Sequence, residues 1–449
     1  MLTPFRILRI LSLCFIPFFL KAQAPADTSE QLSLAQCLQY AMNNQPALKQ
    51  SYIDEKIAKT TNNINLSGWL PQAGLNANFQ HYFQLPTSFI PNTQNPSGPK
   101  VAVNTGLYNT LLPQFGATQT LFSNDVLFAA NAAPLYLRGA KENTESTKID
   151  LISDVSKAFY DVLLSQAQLQ VLAEDTSRLG KNLRDAYSQY VAGIVDKVDY
   201  KRATISLNNS VAELKNTNES IQVKYAVLKQ LMGYPREKTF SVVYDTTQMM
   251  QEIYYDTTGA LQYEKRIEYK QLNTSIQIQH MTTSYYATGF LPSLSAFYNY
   301  VPEYENDKFS DLFNKAYPYS LFGVTLSFPI FQGFKRVENI HRSKLQEQRQ
   351  SWDMVNLKLG INTQYRQAMA NYKNNLNDFK TMQENVRTAK EVYDVIKLQY
   401  REGIKQYLEV ITAEADLRTS EINYLNSLFQ LLQAKIDLQK AMGDISTNI

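Results

Sequence analysis

The chain has 449 residues, with 44 lysines and arginines against 41 aspartates and glutamates. A net charge of +3 excludes the strongly basic character of a nucleic-acid-binding protein. Only Cys37 lies beyond the first 24 residues, which excludes an internal disulfide and a multi-cysteine metal site there. There are 29 tyrosines and 22 phenylalanines, but no apolar run after residue 24 approaches the roughly 18 residues of a spanning helix. Aromatic β-strands with alternating polarity remain as a means of meeting a membrane.

Residues 1–24 are predicted to form a secretory signal peptide. Arg6 and Arg9 precede an apolar run, and Ala22-Gln23-Ala24 fits the small-x-small pattern of a cleavage site. Leu13 precedes Cys14, where a lipoprotein signal needs a small residue, so no lipid anchor is expected. The chain is therefore predicted to be exported.

The first half of the exported chain, residues 25–233, is predicted to form a helix, a strand pair and a long helical hairpin. The strands are expected near 72–84 and 113–122, and the Pro-, Gly- and Asn-rich stretch 85–100 between them is predicted to be an exposed loop. In the first strand, apolar side chains alternate with Asn and Gln. This alternation fits either a half-buried sheet or a barrel with lipid outside and water inside.

The helices are expected to be unusually long. Apolar residues recur about every 3.5 residues through 151–190, 365–400 and 408–436, which predicts left-handed coiled coils in long helices such as 131–190 and 341–400. A helix of about 60 residues would be roughly 90 Å long at 1.5 Å per residue. Arg418 occupies one seam position of the helix that follows, and Thr176 is a weak member of the first seam. Gly193 and Gly403 come after the long helices, where glycine can adopt the left-handed conformation that reverses the chain.

The second half, residues 263–449, repeats the first after a linker at 234–262. The stretch "YVAGIVDKVDYKRATISL" at 190–207 matches "YREGIKQYLEVITAEADL" 210 residues later. Near the strands, "GWLPQAGLNANFQ" at 68–80 matches "GFLPSLSAFYNY" 221 residues later. Two more strands are therefore expected, near 293–301 and 319–330.

Four strands in one chain cannot hide their edges in lipid, because every backbone N–H and C=O must be paired there. Four strands from each of several copies could close a barrel. Strands that span a membrane therefore require an oligomer. Four phenylalanines are predicted to face the lipid: Phe79, Phe83, Phe322 and Phe328.

The sequence resembles the TolC family of outer-membrane efflux proteins. The resemblance is carried by "LSLAQCLQYAMNNQPALKQ" at 32–50, by "GVTLSFPIFQGFKR" at 323–336, by the two Leu-Pro strand starts and by the two repeated turn stretches. It implies a mainly α fold with β: long antiparallel coiled-coil hairpins plus four strands per subunit of a trimeric twelve-stranded outer-membrane barrel. It also implies passive export, with a periplasmic adaptor and an inner-membrane pump as partners and no cofactor.

The resemblance points to the two turns between the long helices as the periplasmic end. The turns Gly193-Ile194-Val195 and Gly403-Ile404-Lys405 are expected to meet the adaptor. Matched residue by residue, the family's closing bonds fall on Tyr400 and Lys405, tied to Asp199 on the other hairpin. The family's acidic constriction falls on Glu409 and Thr412, of which only Glu409 is acidic here.

Other classes of protein were weighed against this interpretation. The three histidines, His81, His280 and His341, share no ligand spacing, so no metal is expected. No G-x-S-x-G, H-E-x-x-H or phosphate-loop motif is present, so an enzyme is not predicted. A periplasmic coiled-coil adaptor or scaffold without a barrel remains the alternative, although it would need one hairpin between compact β domains. Solvated helix residues with no shared role are the plain alternative for the four gate residues.

Overall fold

The computed structural model describes residues 30–93, 97–244, 249–250 and 252–447. The signal peptide predicted over 1–24 lies outside these residues. The helices are α1 (Leu34–Asn44), α2 (Pro46–Leu66), α3 (Asn124–Val191), α4 (Lys197–Met232), α5 (Ile267–Ala287), α6 (Lys335–Arg401) and α7 (Tyr407–Met442). The strands are β1 (Glu30–Leu32), β2 (Gln72–His81), β3 (Thr87–Ile90), β4 (Val101–Asn104), β5 (Asn109–Phe122), β6 (Phe240–Val242), β7 (Ser293–Asn306) and β8 (Ala316–Ser327).

Two long helical hairpins dominate the structure. Helices α3 and α6 have 68 and 67 residues, or about 100 Å each at 1.5 Å per residue. Helices α4 and α7 have 36 residues each and start 210 residues apart, as the repeat predicts. Helix α3 begins earlier than the predicted position 131 because the Ser123 side chain accepts a hydrogen bond from the Val126 amide and caps the helix there.

A four-stranded antiparallel sheet continues from the helices. Its strand order is β2-β5-β7-β8, so β2 and β8 form its two edges. All four strands that the sequence predicted are present, and β5 and β7 are longer than expected. Helices α2 and α5 precede β2 and β7, and both have 21 residues. The two halves of the chain therefore repeat the same helix–strand–strand–hairpin order.

The pairing register collects the apolar side chains on one face of the sheet. Leu75 of β2 lies opposite Phe115, which lies opposite Tyr300 of β7. Tyr298 in turn lies opposite Phe322 of β8. Side chains on successive residues point to opposite faces, so Asn76 and Asn78 share the other, more polar face. The structure thus confirms the predicted alternation of apolar and polar side chains in the first strand.

On the polar face, Phe297 of β7 lies across Gly323 of β8. A Cβ at residue 323 would lie 2.5 Å from the Phe297 ζ carbon, so a side chain there would displace the ring. Glycine in β8 therefore makes room for the aromatic ring of its neighbouring strand.

One sequence expectation near the sheet is wrong, the loop at 85–100, and two strands end three residues earlier than predicted. Phe83 lies beyond the end of β2 at His81, and Phe328 lies just beyond β8 at Ser327, although both side chains are exposed. The predicted loop 85–100 contains β3, which pairs with β4 as a separate two-stranded hairpin. The composition of this stretch hid the strand because Pro, Gly and Asn surround only four strand residues.

The largest apolar core lies where the hairpins meet the N-terminal residues and the segment after α4. A short parallel pair joins β1 to β6, and Phe240 of β6 packs against Tyr225 and Tyr234. Helix α1 contributes the fully buried Cys37 and Ala41 to the same core. In the part of the chain that the structure describes, no helix is long and apolar enough to cross a membrane.

Candidate functional site at the hairpin tips

Both long hairpins turn through the same backbone motif. Gly193 and Gly403 adopt left-handed conformations, with φ of 71° and 75°. After each glycine, the amide of the next residue donates back to the carbonyl of a glutamine: Ile194 to Gln189 and Ile404 to Gln399, both over 2.9 Å. This is the Schellman arrangement, which satisfies carbonyls left free at a helix end. The two tips are therefore rigidly defined and equivalent in the repeat.

Each tip presents an isoleucine to solvent. Ile194 is 73% exposed and Ile404 is 70% exposed, whereas Val195 is half-buried. The start of α4 is capped by Asp196, whose side chain accepts from the Val198 amide. Gln406, the equivalent residue before α7, makes no side-chain cap bond. An apolar side chain held on a well-defined turn is suited to contact with another protein.

Tyr400 joins the two hairpins, but not through the predicted partner. Its hydroxyl donates to the Gln189 Oε1 over 2.8 Å. Asp199 acts on this hydroxyl without a hydrogen bond: burial raises the Tyr400 pKa, and the Asp199 charge adds to the rise. The expected Tyr400–Asp199 bond is thus replaced by Tyr400–Gln189 in the single chain. Gln189 is available to Tyr400 because it lies in the last turn of α3, which continues to Val191.

Lys405 also has a different partner from the predicted one. Its Nζ lies 2.7 Å from the Oε2 of Glu409, which is four residues later in the chain and in the first turn of α7. Both side chains are about two-fifths exposed or slightly less. The pair therefore does not link the hairpins as the expected Lys405–Asp199 bond would have done. It also offsets the negative charge that was expected at Glu409.

A small apolar cluster surrounds these polar contacts. Tyr407 at the start of α7 packs against Ala186 of α3 and Ala203 of α4, and its ring lies 5.7 Å from that of Tyr400. The Tyr407 hydroxyl is buried without a hydrogen-bond partner among the described residues. Burial, with nearby Glu414, raises its pKa. Tyr407 thus holds the base of the second tip against the first hairpin.

Sequence reasoning missed a buried ionic network further along the hairpins. Asp175 and Arg178 of α3 pair crosswise with Arg418 and Glu414 of α7. Burial and the Asp175 charge raise the Glu414 pKa, against the opposing effect of Arg178. The sequence feature that could have revealed this network is Arg418 in an otherwise apolar seam, because a charge at such a position needs buried partners.

Metal-ligand chemistry is not offered by this arrangement. Within the described ranges, no group of three or more His, Cys, Asp or Glu side chains could hold a metal ion. At the tips, the Tyr400–Gln189 bond crosses between the hairpins, whereas the Lys405–Glu409 pair stays at the start of one helix. This arrangement can hold two helical hairpins together by a few weak contacts, which is suited to a joint that opens.

The sequence profile of the family described as "Outer membrane efflux protein" matches residues 37–234 and 284–444. The chain belongs to this outer membrane efflux family. Among curated relatives, the outer membrane protein TolC of Vibrio cholerae is 20% identical over 341 residues, which cover 73% of this chain and 76% of TolC. The family match confirms the resemblance found in the sequence.

Solved structures of this efflux family share the fold. The structure is similar to CusC, with a TM-score of 0.73, 15% identity and 91% of each chain covered. The Campylobacter jejuni channel CmeC gives a TM-score of 0.70 at 16% identity, covering 93% of this chain and 87% of CmeC. The open state of Neisseria gonorrhoeae MtrE gives 0.68 at 16% identity, covering 91% and 88%.

As a member of the efflux family, the protein is an outer-membrane channel-tunnel whose helical part lies in the periplasm. The predicted fold class, function and localisation are thereby confirmed. A periplasmic adaptor or scaffold, the alternative left open by the sequence, is not favoured by these matches.

Proposed function

We propose that three copies of the chain close into one export duct through which substrates pass passively. The observation that carries this proposal is the pair of sheet edges on β2 and β8. Each edge strand is hydrogen-bonded to one neighbour only within the described chain. Backbone groups on such edges must be paired inside a membrane. Joining β8 of one copy to β2 of the next satisfies both edges, and three copies make twelve strands.

The helices beside the sheet support the same arrangement. Helix α2, which leads into β2, leaves Ile53, Ile57 and Ile64 exposed at helical spacing. Helix α6, which follows β8, exposes Leu345, Trp352 and Leu359 at intervals of seven residues. One stripe lies on the helix that precedes edge strand β2, and the other lies on the helix that comes after edge strand β8. A contact that joins one stripe to the other is head-to-tail, and such contacts form closed rings when the rotation closes.

The tips supply the docking and closing parts of this function. Ile194 and Ile404 are the exposed apolar groups that would meet a periplasmic adaptor, together with Gly193, Val195 and Gly403 of the two turns. The adaptor would connect the duct to an inner-membrane pump, which selects the substrate. The Tyr400–Gln189 bond, with Asp199 nearby, would hold the periplasmic mouth closed until docking, while the Lys405–Glu409 pair would set the charge at the mouth. The solved structure of the open state of the MtrE channel supports a mouth that opens.

Cysteine crosslinking tests the ring. Asn78→Cys on β2 is combined with a cysteine at Tyr319, Leu321 or Thr325 of β8, all on the polar face by register. Outer membranes are oxidised, and the covalent products are sized after heating in detergent. We expect at least one pair to give covalent trimers. Trimers should also migrate as a band that heating dissociates in the unmodified protein.

Asn78→Cys with Ser295→Cys is the matched control, because Ser295 lies on the inner strand β7, which is already paired on both sides. This control should give no intermolecular product. Monomers throughout the β8 series would contradict the trimer. Chemical crosslinking in whole cells then tests the partners, and Ile194→Asp is expected to remove any adaptor band.

A further inference from the structure

Two helices from different hairpins exchange charges in a crossed pattern. Arg418 of α7 donates from Nη1 to Asp175 Oδ2 over 3.2 Å. Arg178 of α3 donates from Nε to Glu414 Oε1 and from Nη2 to Asp175 Oδ1, each over 3.3 Å. Each helix thus gives one acid and one base, and each base contacts an acid on the other helix. We call these four residues the crossed clamp.

Polar side chains complete the hydrogen bonding of both acids. Ser210 of α4 donates to Asp175 Oδ2 over 2.8 Å, and Asn182 of α3 donates to Glu414 Oε2 over 2.8 Å. The crossed clamp therefore ties both helices of the first hairpin to α7 of the second.

Burial makes the crossed clamp sensitive to movement. Asp175 is 0% exposed and Glu414 is 2% exposed. A buried carboxylate is tolerated only when it is paired and hydrogen-bonded. If α3 and α7 slid past each other or parted at this level, the two carboxylates would lose their hydrogen-bond partners while still buried away from water. The two helices are thus held in one register there.

The position of the crossed clamp divides the hairpins into two regions. Asp175 lies roughly 24 Å from the tip end of α3 at 1.5 Å per residue. On the side away from the tips, Phe159 and Leu432 belong to the large core that already unites the hairpins. On the tip side, the hairpins meet through the Tyr400–Gln189 bond and the small cluster around Tyr407. The strong contacts therefore stop at the crossed clamp.

We propose that the crossed clamp is the pivot of the periplasmic mouth: the tips part below it while α3 and α7 stay joined at its level. This inference rests on the proposed function, since it describes how that mouth opens. Asp175, Arg178, Glu414 and Arg418 are positioning residues. They limit opening to the last turns of the hairpins and return the tips to register when they close.

Single-channel recording in planar bilayers tests the pivot. The recordings use the assembled full-length protein carrying Tyr400→Phe, which removes the tip bond. Arg418→Met with Asp175→Asn then removes the Arg418–Asp175 pair, together with the Arg178–Asp175 pair, without changing the net charge of the site. We expect the open-state conductance to rise and to spread over several levels compared with Tyr400→Phe alone, because parting of the helices is no longer limited to the turns below the crossed clamp. The open probability should change little, since the crossed clamp is intact in both the closed and the open mouth.

A second ion pair between α3 and α7 provides the matched control. Lys157 Nζ and Asp437 Oδ1 lie 2.5 Å apart, but Asp437 is half exposed, unlike the two buried acids of the crossed clamp, and the pair lies beside the large core. Lys157→Met with Asp437→Asn should leave the open-state conductance of the Tyr400→Phe channel unchanged. An equal effect of both double variants, or no effect of either, would overturn the pivot.

Conservative exchange separates positioning from general weakening. Arg418 makes a single bond to Asp175, which one lysine ammonium can replace, so Arg418→Lys should behave as its parent channel. Arg418→Met should raise and spread the open-state conductance, and this comparison decides the matter if the double variant fails to assemble. Equal open-state conductance of the two single variants, with only heat resistance altered, would show a merely structural role. A Tyr400→Phe protein that inserts but never conducts would instead contradict the proposed function.

Discussion

The Tyr400 hydroxyl donates to the Gln189 side-chain oxygen over 2.8 Å and so joins the two hairpins near their tips. Removing either partner by Tyr400→Phe or Gln189→Ala should favour the open mouth. A net hydrogen bond is worth about 1 kcal/mol, so each subunit should shift about fivefold toward the open form. Single-channel conductance or open probability measures the change.

Tyr393→Phe is the control for the tip bond. The Tyr393 hydroxyl accepts from Lys397 of its own helix, so its loss breaks no contact between hairpins. If Tyr393→Phe opened the channel as much as Tyr400→Phe, the Gln189 bond would not be what closes the mouth.

Lys405 offsets the charge of Glu409 within one helix instead of linking the hairpins. Lys405→Ala should therefore change closure little, because an exposed pair is worth about 0–1 kcal/mol. It should raise the preference for cations, since Glu409 is left without a nearby positive charge. Reversal potentials in a salt gradient measure this preference. Glu409→Ala should shift it the opposite way, and strong opening by Lys405→Ala would contradict the assigned pairing.

Ile194 and Ile404 are expected to be the adaptor contacts. Ile194→Asp or Ile404→Asp should abolish export, because a charge cannot be buried cheaply in an apolar contact. The protein should still form heat-dissociable trimers in the outer membrane. Export of a dye by whole cells measures the effect, and Ile194→Leu should export normally. Normal export by both aspartate variants would place the docking surface elsewhere.

Phe79 and Asn78 are neighbours in β2 on opposite faces of the sheet. Phe79→Arg should prevent or weaken assembly, because arginine facing lipid at mid-membrane costs about 2–4 kcal/mol. Asn78→Arg should assemble, because its side chain would face the water-filled interior. The fraction of trimer on unheated gels compares them. Equal assembly of both variants would contradict the assignment of the faces.

Glu414 should make stability depend on pH. Burial and Asp175 raise its pKa in the folded protein above the ordinary value of 4.5. The folded state therefore binds the proton more tightly than the unfolded state, so this contribution is full below pH 4.5 and is lost as pH rises through the folded pKa. Glu414→Gln keeps the neutral form at every pH. Relative to wild type, its thermal midpoint should rise between pH 4.5 and neutrality; parallel curves would contradict the raised pKa.

The helices, the strands and the turns could be predicted from the sequence because each depends on a local pattern of residues. The seam of apolar residues through 365–400 specifies a long helix whatever it packs against. Gly403 specifies where that helix can reverse, and the structure gives it φ of 75° there. The short parallel pair of β1 and β6 was not predictable, because three residues at each end of a 210-residue separation carry no pattern.

By itself, the sequence determined the duplication, the lengths of the hairpins, the four sheet strands and the family, because periodicity and repeated motifs are properties of the chain alone. Only the tertiary structure decided which side chains meet. Tyr400 pairs with Gln189 and Arg418 pairs with Asp175, in each case across two helices. These partners depend on the rotation and register of one helix against another. A change of one residue in that register moves a side chain by about 100° around a helix of 3.6 residues per turn.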